Sequence, residues 1–292
     1  LAVQQFTVHG QKLRRPDLVL FVNGLPLVVI ELKNPADPNA DYEKAYHQIQ
    51  TYKADIPQLF AFNLLNVISD GTVARYGSLS ADLSRHSRWR LVGGEKAAKG
   101  MLELESLMRG LMEPRTLLDF FRGFVAFGGS DGGASFKIIA QWHQYHGVKK
   151  AVQRAVDALT HRKDGKGGVI WFTQGSGKSL LALFYVMALR ERSEFANPTV
   201  VLVTDRKDLD GQLFETFADC RWSIRATPVQ ANSRDDLREQ LSAVQAGGVF
   251  FTTINKFAPE RGLTSVPVLC ERSNVIVIAD EAHRTQYGFR AD

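Results

Sequence analysis

The chain has 292 residues, of which 45% are hydrophobic, 23% charged and 10% aromatic, with a formal net charge of +5. That composition excludes global disorder and suits two domains better than one. The mildly basic balance permits a polyanionic partner without demanding one, and the two cysteines, Cys220 and Cys270, show no CxxC spacing, which excludes a disulfide framework or a zinc ribbon and fits a reducing cytoplasm.

Leu1 to Phe6 lack the basic start and long apolar middle of a signal peptide and read as a strand entered midway. Asp17 to Val22 is a strand by its β-branched and aromatic content. Asn23-Gly24 signals a hairpin, and Leu25 to Leu32 is a second, nearly all-apolar strand. Glu31 and Lys33, two residues apart at its end, share one face. Charges there are costly unless paired or metal-bound.

Pro16-Asp17 followed by Glu31-Leu32-Lys33 gives P-D…E-x-K. The pattern resembles the PD-(D/E)xK nuclease core. The resemblance implies that Asp17, Glu31 and the Leu32 carbonyl hold Mg²⁺ while Lys33 orients or activates the attacking water. A plain hairpin ending in solvated charges is the alternative. The two are separated by register. A strict two-residue turn sets Asp17 against Ile30 and turns Glu31 to the other face. A shared site therefore requires a loop of odd length or a bulge.

Tyr42 to Lys53 reads as a helix with Gln48 and Tyr52 on one face. This resembles the Q-x-x-x-Y helix of RecB-like nucleases and adds both residues to the expected catalytic set; an amphipathic helix with a buried tyrosine is the other reading. Leu59 to Asn63 and Asn66 to Ser69 read as short strands before a turn at Asp70-Gly71. Residues 1–95 are thus expected to form a small mixed-sheet nuclease domain.

Residues 96–135 read as a helical connector. Leu102 to Met112 is one amphipathic helix, Arg115 to Phe127 another, and Gly128 to Gly133 a flexible break. Lys137 to Leu159 is helical by pattern and carries Gln144.

Residues 136–292 read as an ATP-binding lobe. Gly168 to Phe172 is expected to be a strand running into Thr173-Gln174-Gly175-Ser176-Gly177-Lys178-Ser179, with a helix from Lys178. Glycines let successive N–H groups curl around an anion, and the helix start adds its positive dipole end. Lys178 would reach the β/γ-phosphates of ATP and Ser179 would hold Mg²⁺. The glycine that usually opens this loop is replaced by Phe172.

Thr199 to Thr204, Val249 to Thr253 and Val275 to Ala279 alternate with helical stretches, which argues a parallel sheet. The last ends in Asp280-Glu281-Ala282-His283. Asp280 would hold the magnesium water shell and Glu281 would polarise the water attacking the γ-phosphate. The pair of motifs resembles superfamily 2 helicases and translocases. That resemblance implies adenine reading by Gln144, DNA contacts by Thr204-Asp205-Arg206 and Thr252-Thr253, and coupling to a second motor lobe through His283, Arg284 and Gln286.

The whole order is similar to the restriction subunit of type I restriction–modification enzymes. This implies ATP-driven pulling of double-stranded DNA, cleavage far from the recognition site, docking on methyltransferase and specificity subunits, no membrane, and a cytoplasmic location. The motor of that family needs a second lobe, and with a strand entered midway at the start and no closing element after the last motif the chain is expected to be a piece of a longer protein, cut at both ends. Two rivals stay open: a helicase or repair ATPase with an inactive nuclease fold, and a non-catalytic ATP-binding docking module.

Overall fold

The computed structural model describes residues 1–36, 41–129, 133, 135–204, 207–257 and 268–280, with 207–210 by backbone alone. The chain divides into two compact units, Leu1–Ala126 with Phe136–His146, and Phe127–Ser135 with Gly147–Asp292. The fold is mixed α/β, with one mixed and one parallel main sheet.

The first unit is built on five strands whose spatial order follows the sequence: Ala2–Gln4, Leu18–Val22, Leu25–Leu32, Leu65–Ser69 and Ala74–Gly77. Neighbours run antiparallel except Leu25–Leu32 and Leu65–Ser69, which are parallel. A parallel pair needs a crossover, and the helix Tyr42–Asp55 provides it. Asp41 caps that helix, its carboxylate accepting from the Lys44 amide at 2.8 Å.

Asn23 and Gly24, with φ of 49° and 80°, form the tight turn between Val22 and Leu25. Both central residues are left-handed, as a type I′ hairpin requires. The ladder then slips. Phe21 pairs with Pro26, but Leu20 pairs with Val28, so Leu27 is the extra residue of a bulge. Pro26 has no N–H to give the ladder, which makes this the place where pairing breaks at least cost. Beyond the bulge Leu18 faces Ile30, and continuing that register sets Asp17 against Glu31. The register requirement derived from the sequence is met by a bulge and not by an odd loop.

Ala45, Ile49 and Tyr52, at helical spacing, pack on Val19, Val29 and Ile68. This is also the face of Glu31, because it lies two residues from Val29. The opposite face carries Tyr76, whose ring meets Trp89 and Phe120 edge-on at 5.8 and 6.2 Å.

Several sequence expectations are corrected here. Leu59 to Asn63 is not a strand; Pro57–Phe60 is a single 3₁₀ turn started by the proline. The helix expected over Arg115 to Phe127 stops at Gly123 and gives way to a strand, Val125–Gly128. Phe136–Ile139 is a strand too, and the next helix begins only at Trp142. The helices Glu103–Arg109 and Pro114–Gly123 fall within the first unit. Leu107 and Phe120 are buried there, and the Glu103 carboxylate accepts from the Ala74 amide at 3.1 Å and pairs with the Arg75 guanidinium.

The second unit holds a four-stranded parallel sheet in the order Val229–Gln230, Val249–Thr253, Thr199–Thr204, Val275–Ala279. The two inner strands are buried along their whole length, as apolar runs of a parallel sheet should be. Arg190, at the end of the helix Lys178–Arg190, donates to the carbonyls of Ile224 and Gly247. Gly168 to Phe172 does not form the expected strand: Val169 is 90% and Trp171 87% exposed. A β-strand is stable only with a hydrogen-bonded neighbour, and no strand pairs with this segment among the described residues.

Among the described residues no helix is long and apolar enough to cross a membrane. Cys220 and Cys270 are free thiols.

Candidate functional site

At the end of the Leu25–Leu32 strand the bulge brings a charged cluster together. Lys33 Nζ lies 2.8 Å from Glu31 Oε1. Glu31 is 4% exposed, and its other oxygen, Oε2, is buried without a hydrogen bond of good geometry. Asp17 Oδ2 accepts from the Leu32 amide at 2.8 Å, which fixes Asp17 across the hairpin from the Glu31–Leu32 peptide.

The helix Tyr42–Asp55 closes the cluster from the α-helical face. The Tyr52 hydroxyl reaches the Arg15 carbonyl at 3.5 Å and stands close to both Glu31 and Gln48. Burial and the neighbouring Glu31 and Asp17 carboxylates push the Tyr52 phenol well above its ordinary range, so it stays a proton donor. Burial raises the pKa of Glu31 as well; Lys33 opposes the shift, and the Asp17 charge adds to it. The structure therefore brings Asp17, Glu31, Lys33, Gln48 and Tyr52 into one place, although they come from two strands and a helix.

Two carboxylates and a main-chain carbonyl of Leu32 make an all-oxygen donor set, the kind Mg²⁺ accepts. Among the described residues no group of three His, Cys, Asp or Glu side chains is placed to hold a metal, so water would complete any shell here. Glu31 Oε2, buried with no hydrogen bond of good geometry although the Tyr52 hydroxyl stands nearby, fits such an ion: a carboxylate oxygen hidden from solvent gains from a cation.

In the second unit the glycine loop has the expected local shape. Gly175 and Gly177 both take φ of 77°. The Ser176 amide and hydroxyl donate to the Thr173 carbonyl at 3.3 and 2.7 Å. The helix starts at Lys178, directly after left-handed Gly177, and Ser179 lies in its first turn. Thr173, Gln174 and Ser176 are thus in a tight turn before a helix N-terminus, where amide groups and dipole favour an anion. Asp280 follows the Val275–Ala279 strand, its amide donating to the Val203 carbonyl at 2.8 Å. Thr204, Thr252 and Thr253 are buried at the same end of the sheet. Glu281, His283, Arg284, Gln286, Asp205 and Arg206 lie outside the described residues.

Gln144 is placed in the first unit, 1% exposed, with its Oε1 accepting from the Gln141 amide at 2.9 Å. That is a helix-capping contact. Sequence reasoning passed over Gln5, whose amide donates to Asp17 Oδ1 at 2.9 Å. It also passed over Arg14, which pairs with Asp55 at 2.5 Å just before the Arg15-Pro16-Asp17 segment. Neither belongs to a recognisable spacing.

A tight glycine-hinged loop opening a helix, in a unit with a parallel sheet, is the local arrangement found in P-loop nucleotide-binding proteins. Family comparison carries this further. Residues 143–292 match the SWI2/SNF2 ATPase family, and residues 1–85 match the type I restriction enzyme R protein N terminus. The chain belongs to the SWI2/SNF2 ATPase family, and its first 85 residues are similar to the R protein N terminus.

The chain is 49% identical over 294 residues to the type I restriction enzyme HindI endonuclease subunit of Haemophilus influenzae, covering 99% of this chain and 28% of that protein. It is 27% identical over 286 residues to the type I restriction enzyme SauCOLORF180P endonuclease subunit of Staphylococcus aureus, covering 97% and 29%. The chain thus spans less than a third of the length of these relatives.

Proposed function

We propose that this chain is the nuclease and first motor region of a type I restriction endonuclease subunit, which pulls double-stranded DNA with ATP and cuts it with Mg²⁺. In this reading residues 1–95 are a PD-(D/E)xK nuclease domain, 96–135 a helical connector, and 136–292 the first RecA-like lobe. The partners in this reading are double-stranded DNA and the methyltransferase and specificity subunits, as the resemblance to type I restriction–modification enzymes implies. The observation that carries the reading is the Leu27 bulge, which turns Asp17 and Glu31 to one face beside Lys33 and Tyr52.

Asp17, Glu31 and the Leu32 carbonyl would hold Mg²⁺, which when bound supplies a Lewis acid for the phosphodiester and an acidified water. Lys33, held at 2.8 Å by Glu31, presents its ammonium where a water nucleophile is oriented. Tyr52 stands against the Glu31 carboxylate and would restrain it, with Gln48 in turn beside the Tyr52 hydroxyl. At the nucleotide site Thr173 to Gly177 cradle the phosphates, and Lys178 neutralises developing charge. Ser179 and Asp280 would hold the Mg²⁺ that accompanies ATP, Glu281 would polarise water, and Gln144 would read adenine once released from its helix-capping contact. The roles of Gln144 and Glu281 rest on resemblance alone.

The test uses the full-length subunit assembled with its methyltransferase and specificity partners on plasmid DNA carrying a recognition site. Asp17→Ala and Lys33→Ala should lose cutting and keep ATP hydrolysis. Lys178→Ala and Glu281→Gln should lose hydrolysis and, with it, cutting. Cutting that survives Asp17→Ala would assign the first unit an inactive nuclease fold, and hydrolysis that survives Glu281→Gln would overturn the motor assignment.

A further inference from the structure

We infer that Gln5 is a positioning residue for the metal-holding carboxylate Asp17, an inference that rests on the nuclease reading above. Gln5 lies one residue beyond the edge strand Ala2–Gln4, and it meets Asp17 twice. Its amide N–H donates to the Asp17 main-chain carbonyl at 3.0 Å, and its side-chain Nε2 donates to Asp17 Oδ1 at 2.9 Å. The other oxygen of the same carboxylate, Oδ2, takes the Leu32 amide at 2.8 Å. Both oxygens of Asp17 are therefore pinned by one donor each. A carboxylate oxygen has two lone-pair directions, so each keeps one for the site. The plane of the carboxylate is set from two sides, by the edge strand and by the metal-site strand.

The backbone of Gln5 points the same way. Its φ is 50°, the left-handed region that a long side chain occupies only at a cost. Asparagine or glycine would sit there more comfortably. Glycine has no side chain, and the asparagine amide is one methylene shorter and does not reach Oδ1. A glutamine combines this bend with the reach that the contact needs. Backbone strain of this kind clusters at functional sites. A carboxylate whose orientation is held by an outer partner binds its ion more tightly, and loss of such a partner typically lowers metal affinity about tenfold or more.

The experiment measures Mn²⁺ binding to the nucleotide-free full-length chain by electron paramagnetic resonance, together with thermal unfolding and DNA cleavage against Mg²⁺ concentration in the assembled enzyme. Asp17→Ala defines the binding that belongs to this site. Gln5→Gly should weaken that binding about tenfold and raise the Mg²⁺ needed for half-maximal cleavage in parallel. The unfolding temperature should stay the same or rise, because glycine relieves the left-handed backbone. Cleavage at saturating Mg²⁺ should largely recover. Gln5→Asn, which keeps an amide but not its reach, should follow Gln5→Gly in ion affinity. A purely structural residue would move stability and not the Mg²⁺ midpoint. Unchanged Mn²⁺ affinity in both variants, with Asp17→Ala inactive, would overturn the role of Gln5 and leave the nuclease reading standing. Unchanged Mn²⁺ binding and cleavage in Asp17→Ala would overturn both.

Discussion

Lys33 Nζ sits 2.8 Å from Glu31 Oε1, yet the pKa of Glu31 is raised. Burial of the carboxylate outweighs its ion pair. The folded state then binds more protons than the unfolded state over the window from the ordinary value of 4.5 up to the raised one. Stability falls as pH rises through that window. Glu31→Gln should therefore leave the metal-free fold at neutral pH as stable as, or more stable than, the parent. Lys33, with 24% of its side chain exposed, can turn to water. Added Mg²⁺ should raise the unfolding temperature of the parent nuclease unit and not that of Glu31→Gln. Calorimetry with and without Mg²⁺ reads both.

Lys53 shows the opposite sign. Burial pulls its pKa down from 10.5 to about 8, while Nζ donates to the Leu79 carbonyl at 2.6 Å. Between those two values the unfolded chain holds more protons, so stability contributed by this residue rises with pH. Denaturant titrations of the parent and of Lys53→Met from pH 7 to 10 should show the difference between them moving in the parent's favour. A pH-independent difference would contradict the burial of Lys53.

Gly24 isolates a backbone effect. A Cβ placed there meets nothing within 4 Å, yet φ is 80°. Gly24→Ala should cost about 1 kcal/mol from left-handed strain alone. It should leave cleavage intact at temperatures well below unfolding, because the Leu27 bulge and not the turn sets the Asp17–Glu31 register.

Arg14 and Asp55 tie the segment before Pro16 to the end of the site helix at 2.5 Å. Asp55 also accepts the Gln11 amide on its main-chain carbonyl at 2.8 Å. Asp55→Ala leaves a half-buried guanidinium unmatched and should cost about 2 kcal/mol. Asp55→Asn retains an acceptor and should cost roughly half as much. Urea unfolding monitored by tryptophan fluorescence separates the two.

Much of the hairpin site could be read from the sequence, because its signals are local. Asn23-Gly24 marks the turn, an apolar run marks the central strand, and the parity of residues between Asp17 and Glu31 demands an odd loop or a bulge. Its position at Leu27 follows from Pro26, which only the paired strand reveals as the weak point of the ladder. Gln5 stayed hidden because its partner lies twelve residues on and is joined through space. Phe136–Ile139 was absorbed into a helix because its short apolar run continues into a helical pattern at Trp142. Gly168 to Phe172 has strand composition but no described neighbour to pair with, and composition cannot supply one.

The odd residue at Leu27 also constrains how this hairpin can drift over evolutionary time. A single residue gained or lost within the paired stretches, the bulge included, turns one carboxylate to the other face, so single-codon length changes there should be purged, while length changes confined to the Asn23-Gly24 tip leave that pairing in place and should be tolerated.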